Sequence, residues 1–378
     1  MTLPLAKFRM LDISRQMPGP FCSALLADMG MDVLSIAAPS DPLGAGLPLI
    51  MRNKRSMKLD LKSEAGRAIF HRLVETADVV LEGARPGVTK RLGVDYETLR
   101  TKNPRLVYCS ITGYGPDGPF VGRVGHDANY LAYAGVLNHI GNGGEAPVIP
   151  DVQFADCGGG GLMGAVGILT ALLARAETGR GQFVDAAMLD GSLAFTAYPL
   201  LLKHTLGREP ERGYGQPTGH YPCYAVYETA DARHLTLANY EPHFWATLCR
   251  HFGREEFIPW QWDESRRGEM FAFFRARFRE KTLAEWTREL EPLEICYAPV
   301  DTFDEVLVNP QLVHRGMIVE IATPLGPMKT FGPPIKLSDT PASIRSGAPA
   351  FGAHTDAVLA ELGFDAAAIA ALRESRVI

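Results

Sequence analysis

The stretch "FRMLDISRQMPGPFCSALLADMGMDVLSIAAP" (8–39) decides the fold. Its opening "FRMLDIS" (8–14) is a short apolar run that predicts a buried strand. "PGPFCSALLADMG" (18–30) begins on proline and closes at Gly30, the punctuation of a helix. "DVLSIAAP" (32–39) predicts a second strand. Strand, helix and strand in succession form a crossover unit, and such units build a parallel sheet with helices on its faces. The pattern continues outward. "MKLDL" (57–61) reads as a short strand and "SEAGRAIFHRLVETA" (63–77) as a helix capped by Ser63, with Ala65, Ile69, Leu73 and Ala77 along one side. "DVVLEG" (78–83) and "LVYCSITG" (106–113) are two more strands. The expected class is α/β.

Beyond residue 150, "ADCGGGGLMGAVGILTALLARAETG" (155–179) predicts a long apolar helix behind glycines, and "QFVDAAML" (182–189) a strand. The glycine-punctuated stretch from about 190 to 220 reads as a linker. "YAVYETADARHLTLAN" (224–239) predicts two strands around a polar turn, with helical stretches near 241–252 and 268–290, a smaller α+β unit. From about 300 the chain reads as proline-rich and irregular, and "HTDAVLAELGFDAAAIAALRES" (354–375) as two short helices broken at Gly363.

The bulk properties exclude several functions. A net charge of −5 leaves no basic footprint for nucleic acid. No run in the sequence reads as a membrane span, and no leader is evident at the N-terminus. The scattered cysteines 22, 109, 157, 223, 249 and 296 fit reduced thiols in a cytoplasm rather than disulfides or a zinc site.

Within "GGGGLMG" (158–164), Gly159, Gly161 and Gly164 match GxGxxG, but no apolar strand precedes them and the first strand-to-helix turn, "SRQMPGPF", lacks the fingerprint. Close packing explains the glycines better than a phosphate cradle, so neither NAD nor FAD is expected, nor a metal. Asp156 stands just before the glycines, where backbone N–H groups and the helix dipole are expected to favour its ionised form, or where it simply caps. In "GHDANYLAYAGVL" (125–137), Asp127 is a plausible helix cap. His126 precedes the helix, a base beside amide donors, as enolate chemistry requires. Glu241 before Pro242 is ordinary capping chemistry by local reading. "MRNKRS" (51–56) and "LEGARPGVTKRLGV" (81–94) put Arg52, Lys54, Arg55, Arg85 and Arg91 at strand ends or loops, where such sheets bind phosphates.

These blocks together resemble the family III CoA-transferase superfamily and, within it, the α-methylacyl-CoA racemases. The resemblance runs nearly end to end through "PGPFCSALLADMGMDV" (18–33), "RNKRSMKLDLKSEAGR" (52–67), "RPGVTKRLGV" (85–94), "ITGYGPDGP" (111–119), "GHDANYLAYAGVL" (125–137), "DCGGGGLMGAVGILTAL" (156–172), "GQFVDAAMLDG" (181–191) and "YAVYETAD" (224–231). It implies a Rossmann-like large domain from both ends of the chain (1–190 and 331–378), linkers at 191–220 and 301–330, and a small α+β domain at 221–300. It also implies an interlocked homodimer whose active site takes Glu241 from the second subunit. The expected partner is an acyl-CoA, with no cofactor beyond its CoA moiety. Tyr130 joins the basic residues as a CoA-binding candidate.

The resemblance assigns roles as well. Asp156 and His126 become two bases on opposite faces of a thioester's α-carbon. Glu241 of "YEPHFW" orients His126, and the Asp127 amide binds the thioester oxygen. Removal and return of the proton through an enolate invert C2 of a 2-methylacyl-CoA, a reaction of lipid metabolism. The alternative is CoA transfer between carboxylic acids through an Asp156 acyl and CoA-thioester intermediate. Ser35 and Ala37 depart from the superfamily's charged residues near the nucleotide end, and "GHYPC" (219–223) is bulkier than the racemase pattern, which bears on the acyl group.

Overall fold

The computed structural model describes residues 3–378. These fall into two compact units. The first takes the described residues up to Val136, Asp151–Thr196 and Leu307–Ile378; the second takes Leu137–Pro150 and Ala197–Val306.

The first unit is mixed α/β. Its sheet has six parallel strands: β1 (Arg9–Asp12), β2 (Asp32–Ala37), β3 (Lys54–Lys58), β4 (Val79–Glu82), β5 (Val107–Thr112) and β6 (Phe183–Ala187). They lie in the order β3-β2-β1-β4-β5-β6. The chain runs outward from β1 to β3, returns to the other flank of β1 at β4, and runs outward again. That reversal leaves a crevice beyond the carboxyl ends of β1 and β4, where doubly wound sheets hold ligands. The strands carry alternating-face apolar side chains and pack against α1 (Pro18–Asp28), α2 (Glu64–Val74) and the C-terminal helices. Ser63 accepts from Gly66 N at 2.9 Å and starts α2 as its sequence requires.

Three elements differ from the sequence reading. The strand expected at 57–61 begins earlier, at Lys54, because Arg55 pairs with Asp32 of β2 at 2.9 Å and the Lys54 ammonium finds buried partners, so polar residues enter the sheet. The long helix begins as a π-helical turn, Ala155–Leu162, before α4 (Met163–Thr178), with α3 (Asp127–Tyr133) preceding both. The strand expected at 182–189 ends at Ala187 and turns into α5 (Met188–Leu193). The continuous helix Ala155–Thr178 is long and apolar enough to span a membrane by length and composition, with mean hydropathy 1.7, which the sequence reading did not allow. Its buried residues, among them Ala165, Ile168 and Leu172, are those of a core helix.

The second unit has an antiparallel sheet of β7 (Tyr224–Glu228), β8 (His234–Ala238) and β9 (Tyr297–Pro299) in that order. Against it lie α6 (Pro242–His251), α7 (Arg267–Phe278) and α8 (Leu283–Leu290). The stretch expected as one helix over 268–290 is two, because Thr282 and Glu285 form a capping box that restarts the chain. Tyr227, Trp245, Phe274, Phe278 and Trp286 form an aromatic core, and both indole N–H groups are satisfied, by Phe257 O and Phe278 O. The segments read as irregular also contain structure: a helix at Ala197–Leu206 and a hairpin of Ile318–Ile321 with Met328–Phe331.

Candidate active site

Two cavities occupy the crevice of the first unit. One, of about 500 Å³, is walled by segments that follow β1, β2, β3 and β4, including Arg15, Ala37, Asp41, Lys62 and Arg85. The other, of about 460 Å³, reaches from Arg15 and Arg85 to Tyr114, His126 and Met188. Arg15, Gly83, Ala84 and Arg85 line both, so the cavities abut at the carboxyl ends of β1 and β4.

His126 ends an extended segment and opens α3. Its backbone N–H donates to Asn129 Oδ1 at 3.1 Å, and Asn129 N returns a bond to His126 O at 2.8 Å. Its ring is exposed at the rim. The chain behind it is held by Tyr130, whose hydroxyl donates to Gly125 O at 2.6 Å. Gly125 lets the rings pack closely there: a Cβ would stand 2.6 Å from the Tyr114 hydroxyl oxygen and 2.9 Å from Tyr130 Cε1. Tyr130, expected as a CoA ligand, is buried and lines the second cavity with its ring while its hydroxyl is engaged with the backbone.

Asp127 is the first residue of α3, where a backbone N–H has no acceptor within the helix. Its carboxylate accepts from Asp156 N at 2.9 Å and ties α3 to the π-helical turn. The Asp156 carboxyl is half-buried and accepts no hydrogen bond from the described residues. Burial pushes its pKa up to about 6; the Asp127 charge adds to the rise and His126 opposes it. This corrects the expectation that helix amides would favour ionised Asp156: its own N–H serves Asp127, and no amide reaches its carboxyl. An acid that titrates near neutrality, with His126 and Asp127 as its charged neighbours, is suited to proton transfer. The adjoining Cys157 thiol is pushed up to about 11 by burial, which leaves it un-ionised and a poor nucleophile at neutral pH.

The glycine run serves packing. A Cβ on Gly159 would lie 2.7 Å from Met188 O, and one on Gly191 would lie 2.1 Å from Gly159 O. The π-helical turn and α5 therefore meet backbone to backbone beneath Asp156. Among the described residues, no three His, Cys, Asp or Glu side chains gather as a metal site.

The basic candidates separate into two kinds. Arg52 is fully buried, pairs with Asp28 at 2.7 Å and lies over the Phe331 ring. Lys54 is buried too; its Nζ donates to Pro20 O and Ser23 Oγ, both at 2.8 Å, and burial pulls its pKa down to about 8. Arg55 is held by Asp32 and Glu361. These three are corrected from ligand contacts to structural residues, because their donors already face protein acceptors. Arg91 is exposed and lines neither cavity. Arg85 remains open to both cavities. Arg52→Leu is expected to cost about 3–5 kcal/mol by stranding buried Asp28, measured by urea unfolding, while leaving ligand KM unchanged.

Glu241 occupies the N-cap position of α6 in the second unit, exposed and without a side-chain capping hydrogen bond, with Pro242 at the first helical position. Sequence reasoning missed Arg15. The signal in its turn is a cation three residues beyond the end of β1.

The chain is similar to known proteins over nearly its whole length. A family model described as CoA-transferase family III matches residues 5–355. Human alpha-methylacyl-CoA racemase is 36% identical, covering 100% of this chain and 98% of that protein. Human succinyl-CoA:glutarate CoA-transferase is 28% identical, covering 99% of this chain and 90% of that protein. Among solved structures, a CAIB/BAIF family protein from Brucella suis superposes with TM-score 0.84 at 28% identity, covering 96% of this chain and 100% of that one. The match over nearly the whole length, with the parallel sheet and its crevice, makes the chain a member of CoA-transferase family III.

Proposed function

We propose that the protein is an acyl-CoA racemase or epimerase that inverts C2 of a 2-methylacyl-CoA. The observation that carries this reading is the Asp156 carboxyl, free of hydrogen bonds and titrating near 6, within the field of His126. One of the two removes the α-proton, the Asp127 N–H binds the enolate oxygen, and the other returns a proton to the opposite face. The CoA chain would run along the abutting cavities past Arg85. A second copy would supply Glu241 to orient His126 and cover the exposed Leu162, Met163, Val166 and Leu173. The unpaired cysteines suit a reducing cytoplasm.

Incubation with a 2-methylacyl-CoA in D₂O tests this reading. Deuterium at C2 without an acceptor acid is the expected result. The second reading, favoured by the same unbonded Asp156 carboxyl and by the CoA-transferase relatives, predicts none. There Asp156 attacks the thioester carbonyl and expels CoA thiolate. The thiolate attacks the Asp156 carbonyl of the resulting anhydride, releasing the donor acid as its carboxylate and leaving an enzyme thioester. The acceptor carboxylate attacks that thioester and expels the thiolate, which then attacks the acceptor carbonyl to give the new acyl-CoA and free Asp156. Hydroxylamine trapping at Asp156 without C2 exchange would establish transfer instead. His126→Ala is further expected to suppress exchange from one C2 enantiomer far more than from the other; equal suppression would defeat the two-base assignment.

A further inference from the structure

The nucleotide end of CoA carries several negative charges, yet three of the basic residues singled out in the sequence are engaged elsewhere. Arg52, Lys54 and Arg55 are engaged with protein acceptors. The end of β2 in the first cavity offers only the neutral Ala37 and Ala38. Arg15 lines that cavity with Lys62 and Arg85 and is held differently from the buried cations. Its side chain is 57% exposed and makes no hydrogen bond to the described residues. Its Nε lies 2.9 Å from Asp41 Oδ2, whose side chain is only 4% exposed. That carboxylate oxygen has no hydrogen-bond partner, so it holds the guanidinium by charge alone and leaves its donors unused. Asp41 is itself fixed, since Oδ1 accepts from Leu43 N at 3.0 Å. Both residues line the first cavity, and Arg15 also lines the second.

We propose that Arg15, aimed by Asp41, is the phosphate-recognition residue for the nucleotide end of the CoA thioester, acting across the joint between the two cavities from Arg85. A planar guanidinium with its Nε side anchored presents its outer N–H pair to a phosphate, the bidentate arrangement that oxyanions favour. The proposal deepens the acyl-CoA reading and rests on it for the identity of the ligand.

The test compares acyl-CoA with the corresponding acyl-pantetheine, which lacks the nucleotide. In Arg15→Ala the advantage of acyl-CoA over acyl-pantetheine in kcat/KM falls about tenfold or more. Truncation strands the Asp41 carboxylate, so the double variant Arg15→Ala/Asp41→Asn accompanies it and loses the same advantage. Calorimetric binding of CoA, 3′-dephospho-CoA and pantetheine gives the same ratio without any turnover, so failure of the racemase reading leaves this test intact. A loss that persists with 3′-dephospho-CoA assigns Arg15 to the pyrophosphate, and a loss that vanishes assigns it to the 3′-phosphate. An unchanged CoA-to-pantetheine ratio in both variants overturns the proposal.

Discussion

Asp156→Asn is expected to lower C2 deuterium exchange by about 10³-fold, within the range for a general acid–base group, and to make the protein more stable at neutral pH. The two effects have one origin. The folded chain raises the Asp156 pKa from 3.8 to about 6, so between those values the folded state binds more protons than the unfolded state. Stability contributed by this group therefore falls as pH rises through that window, and above it the ionised carboxyl is a standing penalty. The amide carries no such penalty. Thermal unfolding should show the variant above the parent at pH 7.5, with the difference shrinking toward pH 4. A lower melting temperature for the variant at pH 7.5 would contradict the origin assigned to the raised pKa. Asp127→Asn removes the nearer negative charge and should move the acid limb of the exchange profile to lower pH.

Gly191→Ala is expected to damage both stability and activity. The new Cβ meets Gly159 O at 2.1 Å, and the obstacle is backbone rather than a flexible side-chain end. Overpacking of this kind costs about 1–3 kcal/mol and more where nothing yields. The strain is relieved only by parting α5 from the π-helical turn, which carries Asp156. Exchange activity should fall along with the melting temperature. Gly268→Ala is the control, because its Cβ meets nothing within 4 Å on α7 and alanine favours a helix. Equal melting temperatures for the two variants would remove the backbone contact as the cause.

The sheet was legible because apolar runs alternate with capped amphipathic stretches: Ser63 and Gly30 mark real helix ends, and the strands at 9–12, 32–37, 79–82 and 107–112 carry the expected apolar residues. β3 was misplaced because its polarity is compensated by partners far along the chain, Glu361 and His354 among them. No local pattern reports such partners. The candidate site was legible in part for the same reason. His126, Asp127 and Asp156 stand out in the sequence by position beside helix starts, and the fold brings them near one another. Whether a basic residue faces solvent or a buried acid depends on tertiary pairing, so Arg52, singled out in the sequence, lies fully buried against Asp28, while Arg15, not singled out, has an exposed side chain.

The third strand has a consequence for how the protein is made. Ser56 N donates to His354 Nδ1 across 298 positions, and Asp60 N donates to Val377 O. The core beneath that strand includes Val358, Leu359, Ile369, Val377 and Ile378. A chain emerging N-terminus first therefore presents an incomplete first unit through most of translation, with one strand flank uncovered. The second unit's core, drawn from residues 223–297, can close earlier. Association with chaperones during synthesis should persist until the last helix is released, however early the first strands form.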